Sequence, residues 1–181
     1  MTSIVISMIT VDPYTGLPAN VHLGLESLYP PDVGCMELTP DFSIGESVMT
    51  RTTEALSWLA RRDAEGLALK IVAFQVGASG YDPTDFARPT PVVFGSQIDA
   101  FRYEGNVTYE SAAVDGTAYS YTCRIPAEIR SVFGELALIA EVMYSPDVGE
   151  IGTRFPFAVG HCPAVVKHLR SAVTFRAVLH G

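Results

Sequence analysis

Two apolar runs joined by a turn constrain this chain more than any other feature. Residues 134 to 160 read "GELALIAEVMYSPDVGEIGTRFPFAVG", in which each run is opened by a Gly-Glu pair and "SPDVG" supplies the turn formers. A strand with one solvated face alternates apolar with polar residues, whereas near-continuous apolarity requires cover on both faces. This hairpin is therefore expected to be buried on both sides. The strand that ends the sequence, "HLRSAVTFRAVL", alternates more openly. Val173, Phe175, Ala177 and Leu179 share one face there and Arg170, Thr174 and Arg176 the other, so half exposure is expected.

The rest of the chain is read around these strands. "SIVISMITV" is strand-like, and the stretch after it, "DPYTGLPANVHLGLESLYPPDVGC", is dense in Pro and Gly, which predicts an extended strand followed by a loop-rich arm over residues 1–49. One helix is expected at about 50–63 within "TRTTEALSWLARRDAEG". Thr50 or Thr52 caps it, Ala55, Leu56, Leu59 and Ala60 share a face, Arg61 and Arg62 suit the dipole, and Gly66 stops it. "LALKIVAFQV" is β-rich, and "GASGYDPTDFARPTP" reads as a long loop. In "NVTYESAAVDGTAYSYTCRIP", Tyr119, Tyr121, Cys123 and Ile125 share one face, and Val107, Tyr109 and Ser111 another. A two-residue turn at Asp115-Gly116 sets these faces on opposite sides. A three-residue loop, Val114 to Gly116, with a bulge and Gly116 left-handed, instead places Tyr109 across from Tyr121 and Val107 across from Cys123, and that register is the expectation. The fold class is mainly β with one α-helix (α+β), in antiparallel sheets or a sandwich, with a single β-rich domain over 50–181.

Composition excludes several function classes. At 48% apolar residues in 181, the chain can bury a real core. The formal net charge is −8, yet residues 1–50 hold Asp12, Glu26, Asp32, Glu37, Asp41 and Glu46 with no Lys or Arg, leaving 14 acidic and 12 basic side chains for the remaining 131 residues. Phosphate contacts need clustered cations, so no nucleic-acid partner is expected. The longest apolar stretches are broken well short of a ~20-residue span, and the N-terminus lacks a basic start and a cleavage site, so neither membrane nor leader is expected.

Four sets of polar side chains were candidates for chemistry. In "FAVGHCP", His161 stands beside Cys162, with His168 downstream. A Cys-His nucleophile needs the ring aimed at the thiol. Neighbours on an extended chain point to opposite faces, so His161 cannot activate Cys162, and His168 does so only if "PAVVK" folds back. For a closed zinc site, His22, Cys35 and Cys123 lie on separate segments without metal-ligand spacing. The carboxylate pairs Asp82 with Asp85 and Asp147 with Glu150 sit beside Pro and Gly, where Asp bonds its own backbone rather than flanking a cleft. The rings of Tyr103, Tyr109, Tyr119 and Tyr121 are expected to pack on neighbouring strands; exposed, they would bind sugar or protein. No catalytic, cofactor-binding or metal-ligating residues are assigned, no cofactor is expected, and the chain is not expected to be an enzyme.

The order of these features resembles the N-terminal domain of bacteriophage tail-collar fibre proteins and related baseplate components. The stretches that carry the resemblance are Gly77 to Thr84 in "VGASGYDPT", Glu135 through Ile139, and Phe157 through Lys167, after a short helix; it spans about residues 50–181, with roughly 90–130 alike in character only. The family often has an aromatic residue at the position of Cys162, which implies an apolar socket there. The resemblance implies a virion structural protein of a tailed phage, in the baseplate or as a tail-to-fibre adaptor, assembled in the host cytoplasm. It implies other tail, baseplate or fibre proteins as partners and a homo-oligomer, with a trimer favoured. The sequence stops at Gly181 just past the last strand, which fits an adaptor or baseplate block better than a fibre. The other reading of the same residues is a stand-alone β module that binds carbohydrate or another small ligand.

Overall fold

The computed structural model describes residues 4–11, 18–19, 47–92, 97–112, 118–167 and 172–180. The elements in chain order are β1 (Ile4–Val11), β2 (Pro18–Ala19), β3 (Ser47–Arg51), α1 (Thr53–Glu65), β4 (Ala68–Gly77), β5 (Tyr81–Asp82) and β6 (Asp85–Pro89). They continue with β7 (Phe101–Ala112), β8 (Ala118–Ile125), β9 (Ser131–Tyr144), β10 (Arg154–Lys167) and β11 (Ala172–His180). Strands β11, β8, β7, β4, β9, β10, β3 and β1 follow one another in a single antiparallel sheet, and β1 pairs back onto β11 from Ile4 with Leu179 to Val11 with Ala172. The sheet is thus a closed eight-stranded barrel, with β2 added on β1 and a small hairpin, β5 with β6, outside it. The mainly β class with one helix is as expected. The antiparallel strands form one curled sheet instead of two stacked ones, and the pairing of β1 with β11 removes the two terminal edge strands that a sandwich leaves open.

The apolar hairpin, β9 with β10, shows why its sequence lacks alternation. Leu136, Leu138, Ala140 and Val142 of β9 face the barrel interior with Phe74, Cys123 and Phe175, while Ala137 and Ile139 face outward and are covered with Val159 by Val72, Val92 and Ile98. Both faces are buried, and each row removes apolar surface from water at about 25 cal/mol per Å². Bulges let so long a hairpin bend. The β9–β10 register shifts between Pro156 and Ala158 and again between His161 and Val165. Pro163 lies inside the second break, where its missing N–H costs no ladder bond. Phe74, Phe133, Leu138, Cys123 and Ile125 each have 0% exposure, so the interior is filled by side chains, as the diameter of eight strands allows.

Helix α1 begins three residues later than expected because Ser47–Arg51 is drawn into the barrel as β3, pairing with Ala158 to Gly160. Thr52 is the cap, its hydroxyl accepting from the Ala55 N–H at 3.0 Å, and Gly66 ends the helix at φ 74 with its N–H on Arg62 O. The inward face is Ala55, Trp58 and Leu59, whereas Leu56 and Ala60, expected to share it, are exposed. The reason is the start: the strand before Thr52 fixes the phase of the helix, so the i, i+3, i+4 set counted from Ala55 meets the barrel. Trp58 stacks on Phe155 with centroids 5.5 Å apart.

On β7 and β8 the register is the expected one, with Val107 across from Cys123 and Tyr109 across from Tyr121. The ladder then slips by one residue between Tyr109 and Ser111. The expected loop, Val114 to Gly116, lies outside the described residues. On β11, Val173, Phe175 and Ala177 are buried and Thr174 is half-buried. The arm residues 20–46 are also outside the described residues.

Candidate functional site

The densest buried polar cluster among the described residues is built on the outer surface of β9 and β10, at the barrel end where β4 ends and β7 begins. Glu135 interrupts the apolar run of β9, directly across from His161 of β10 and Gly77 of β4. Its carboxylate is 1% exposed. Asp99 N donates to its Oε2 at 3.1 Å, and Oε1 accepts from Ala100 N at 3.1 Å, Ser79 N at 3.2 Å and Ser79 Oγ at 2.6 Å. Three backbone N–H groups and a hydroxyl therefore close around one anion. Buried carboxylates survive where such donors replace water. Two glycines make room: a Cβ on Gly77 would stand 2.2 Å from Glu135 Oε1, and one on Gly134 would stand 2.4 Å from Ser79 O. The carboxylate ties the segments at 79 and 99–100 to the barrel wall.

Neighbouring groups are used the same way. His161 Nδ1 donates to Thr90 O at 2.9 Å and lies 3.1 Å from Thr90 Oγ1, which fastens the base of the β5–β6 hairpin. Cys162, next along β10, faces the core and is 6% exposed. Burial first, and the charge of Glu135 second, push its thiol up to about 12. A nucleophilic cysteine needs the opposite shift. His168, its only sequence partner for a base, lies outside the described residues. Lys167 at the end of β10 is 1% exposed and its ammonium donates to Ala127 O at 3.0 Å and to Ile129 O, so it pins the 126–130 turn. Desolvation lowers its pKa, against a smaller opposing pull from Glu128.

The candidate carboxylates are held by neighbouring residues and, for Glu150, by Arg61. Asp82 Oδ1 accepts from Thr84 Oγ1 at 2.7 Å and Thr84 N at 2.8 Å, and these bonds hold its carboxyl below the usual range. Asp85 accepts from Ala87 N, and Asp147 from Gly149 N. Glu150 accepts from Arg61 Nη1 and Nη2 at 2.7 and 2.9 Å and from Ser145 Oγ at 2.8 Å, and Arg61 also pairs with Glu65 and lies 4.9 Å above the Trp58 ring. That network fastens α1 to the β9–β10 turn. Among the described residues no three His, Cys, Asp or Glu side chains converge to hold a metal, and His22 and Cys35 lie outside them. Tyr109 packs edge-on to Tyr121 at 5.8 Å and Tyr103 on Phe74 at 5.9 Å, while the Tyr119 side chain is outside the described residues.

The opposite end of the barrel differs in kind. Tyr144 at the end of β9 pairs with Ala68 at the start of β4, and the turn Val148–Glu150 and α1 lie there too. Leu56, Tyr109, Met143, Tyr144, Val148 and Ile151 are six of the eight large apolar side chains that stand exposed among the described residues, and all six belong to this end. Val148 is 76% exposed. Isolated exposed apolar residues are ordinary, whereas a group of them at one pole is not. Sequence reading missed both features. The signal for the first was Glu135 set among the apolar residues of its strand, a residue type almost never buried without partners.

Comparison with known proteins gives no match, whether with family models, curated proteins or solved structures. None of the described helices is long and apolar enough to cross a membrane.

Proposed function

We propose that the chain is a virion structural protein of a tailed phage, a baseplate block or tail-to-fibre adaptor, that acts by assembly with copies of itself and with other tail proteins. The observation that carries this reading is the apolar pole formed by Leu56, Tyr109, Met143, Tyr144, Val148 and Ile151 on a barrel whose buried polar groups are spent on holding loops. A surface of this kind gains free energy by being covered, and a filled barrel is a stiff block on which to present it. The sequence resemblance to tail-collar fibre domains supports the setting, with threefold symmetry as its implied arrangement. It is not proposed as an enzyme: the thiol of Cys162 is buried and shifted away from reactivity, and each candidate carboxylate has its donors in nearby backbone N–H groups, in hydroxyls or in Arg61. The small-ligand reading gains no support from the interior, where Phe74, Phe133 and Leu138 are fully buried, nor from the tyrosines, which pack on one another.

Sedimentation velocity of the purified chain over a wide concentration range, combined with mass spectrometry and imaging of purified virions, tests the proposal. The expected result is a discrete oligomer and the chain's presence in the tail. A protein that stays monomeric at every concentration and is missing from the particles would overturn it.

A further inference from the structure

The ladder between β4 and β7 stops at Ala73 paired with Asn106, yet β4 begins five residues earlier, at Ala68, and β7 runs on to Ala112. The outer edges of these extensions are used, since Ala68 to Ile71 pair with β9 and Val107 to Ala112 with β8. On the edges that face each other no described strand pairs. The barrel wall is therefore split at its apolar pole. Leu69, Ile71 and Val107 line the inner side of the split as part of the core, and Tyr109, also on the inner row, is 54% exposed. Lys70 and Thr108 stand exposed on the outer side. The split opens onto the exposed patch, because Ala68 is the partner of Tyr144.

We propose that this split receives an extended segment of another polypeptide as an added strand, about five or six residues long, with apolar side chains at alternate positions. The inference deepens the assembly reading and rests on it. Two demands meet here, and only a peptide strand answers both. Among the described residues the facing edges have backbone N–H and C=O groups without a ladder partner, and the inner row has half-buried Leu69 and Val107 and exposed Tyr109 left to cover. Lipid would cover the side chains and leave the backbone unpaired. A compact small molecule lacks donors and acceptors repeated at the strand spacing. The alternation follows from the pleat: every second residue of the guest meets Leu69, Val107 and Tyr109, and those between meet Lys70, Thr108 and water.

The test uses the full chain with a capped Val-Thr-Val-Thr-Val-Thr peptide and the same peptide N-methylated at each threonine, which keeps the side chains and removes ladder donors. Amide hydrogen exchange is expected to slow at least tenfold within 68–72 and 107–112 with the first peptide and to stay unchanged with the second. No slowing in those segments, slowing spread over the barrel, or equal slowing by the N-methylated peptide overturns the inference. Exchange measured in the assembled state separates this from the assembly reading. Oligomers in which 68–72 and 107–112 exchange as in the monomer sink the strand site and leave assembly standing. Peptide protection in a chain that never assembles and is absent from virions sinks the assembly reading alone.

Discussion

The two ends of the barrel use the same kind of strand to opposite purposes. At one end Glu135 and Lys167 are charged side chains buried to 1% exposure, each surrounded by backbone groups of the segments they hold. At the other end, large apolar side chains stand in water and the wall opens between β4 and β7. The difference teaches where each end's free energy resides. At the clamped end the described buried donors and acceptors close on one another. The apolar end has groups whose best partners are not among its own described residues.

The comparison predicts a steep gradient of mutational cost between the two ends. Glu135→Ala leaves the N–H groups of Ser79, Asp99 and Ala100 and the Ser79 hydroxyl without their acceptor, and is expected to cost about 4 kcal/mol in urea unfolding. Glu135→Gln keeps one oxygen but turns an NH2 toward a backbone donor, so about half that loss is expected. A loss under about 1 kcal/mol for Glu135→Ala would show that the carboxylate does not hold the loops. Lys167→Met keeps the stem and removes the ammonium from Ala127 O and Ile129 O, with an expected loss of about 2 kcal/mol, also read from urea midpoints. At the far end Tyr144→Glu should change the stability of the monomer by less than about 0.5 kcal/mol, since the ring is 56% exposed. Its effect should appear instead as a lower sedimentation coefficient, from weakened assembly. If Tyr144→Glu unfolds the chain as Glu135→Ala does, the contrast between the ends is lost.

How much of this was legible in the sequence follows from the range of the interactions. The hairpin of β9 and β10 was readable because two-faced burial erases alternation within a single stretch. The caps Thr52 and Gly66 were readable because a cap acts within one helical turn. The pairing of Tyr109 with Tyr121 followed from face parity across a local connection. Closure of the barrel was not readable, because Ile4 meets Leu179 from the other end of the chain and no local pattern records that pairing. The helix face was misjudged for a related reason: β3 takes Ser47–Arg51 through Gly160 of a distant strand and so sets the helical phase. Glu135 was seen only as a residue that opens a strand. Its donors come from residues 79 and 99–100, which become neighbours only when β4 and β7 are in place.

The smallest expected effect concerns acid, and it falls on the apolar end. Arg61, bonded to Glu65 and Glu150, holds both carboxyls below their ordinary value of 4.5. With folded values depressed, the unfolded chain binds more protons as acid is added. The contribution is therefore fully present above the unfolded value and fades as pH falls from about 5 through the folded values. These side chains are solvent-accessible, so salt screens the effect and it should be modest. Arg61→Met is expected to flatten the part of the thermal midpoint's acid slope that arises below about pH 5, by lowering the midpoint modestly at neutral pH and leaving it little changed in acid. Glu104, held low by Gln75 and then Arg154 on the barrel's side, and Asp82, held low by Thr84, contribute to the slope that remains. If Arg61→Met leaves the acid slope whole, the Arg61 network contributes packing on Trp58 alone, and the apolar end is held to its helix by rings instead of charge.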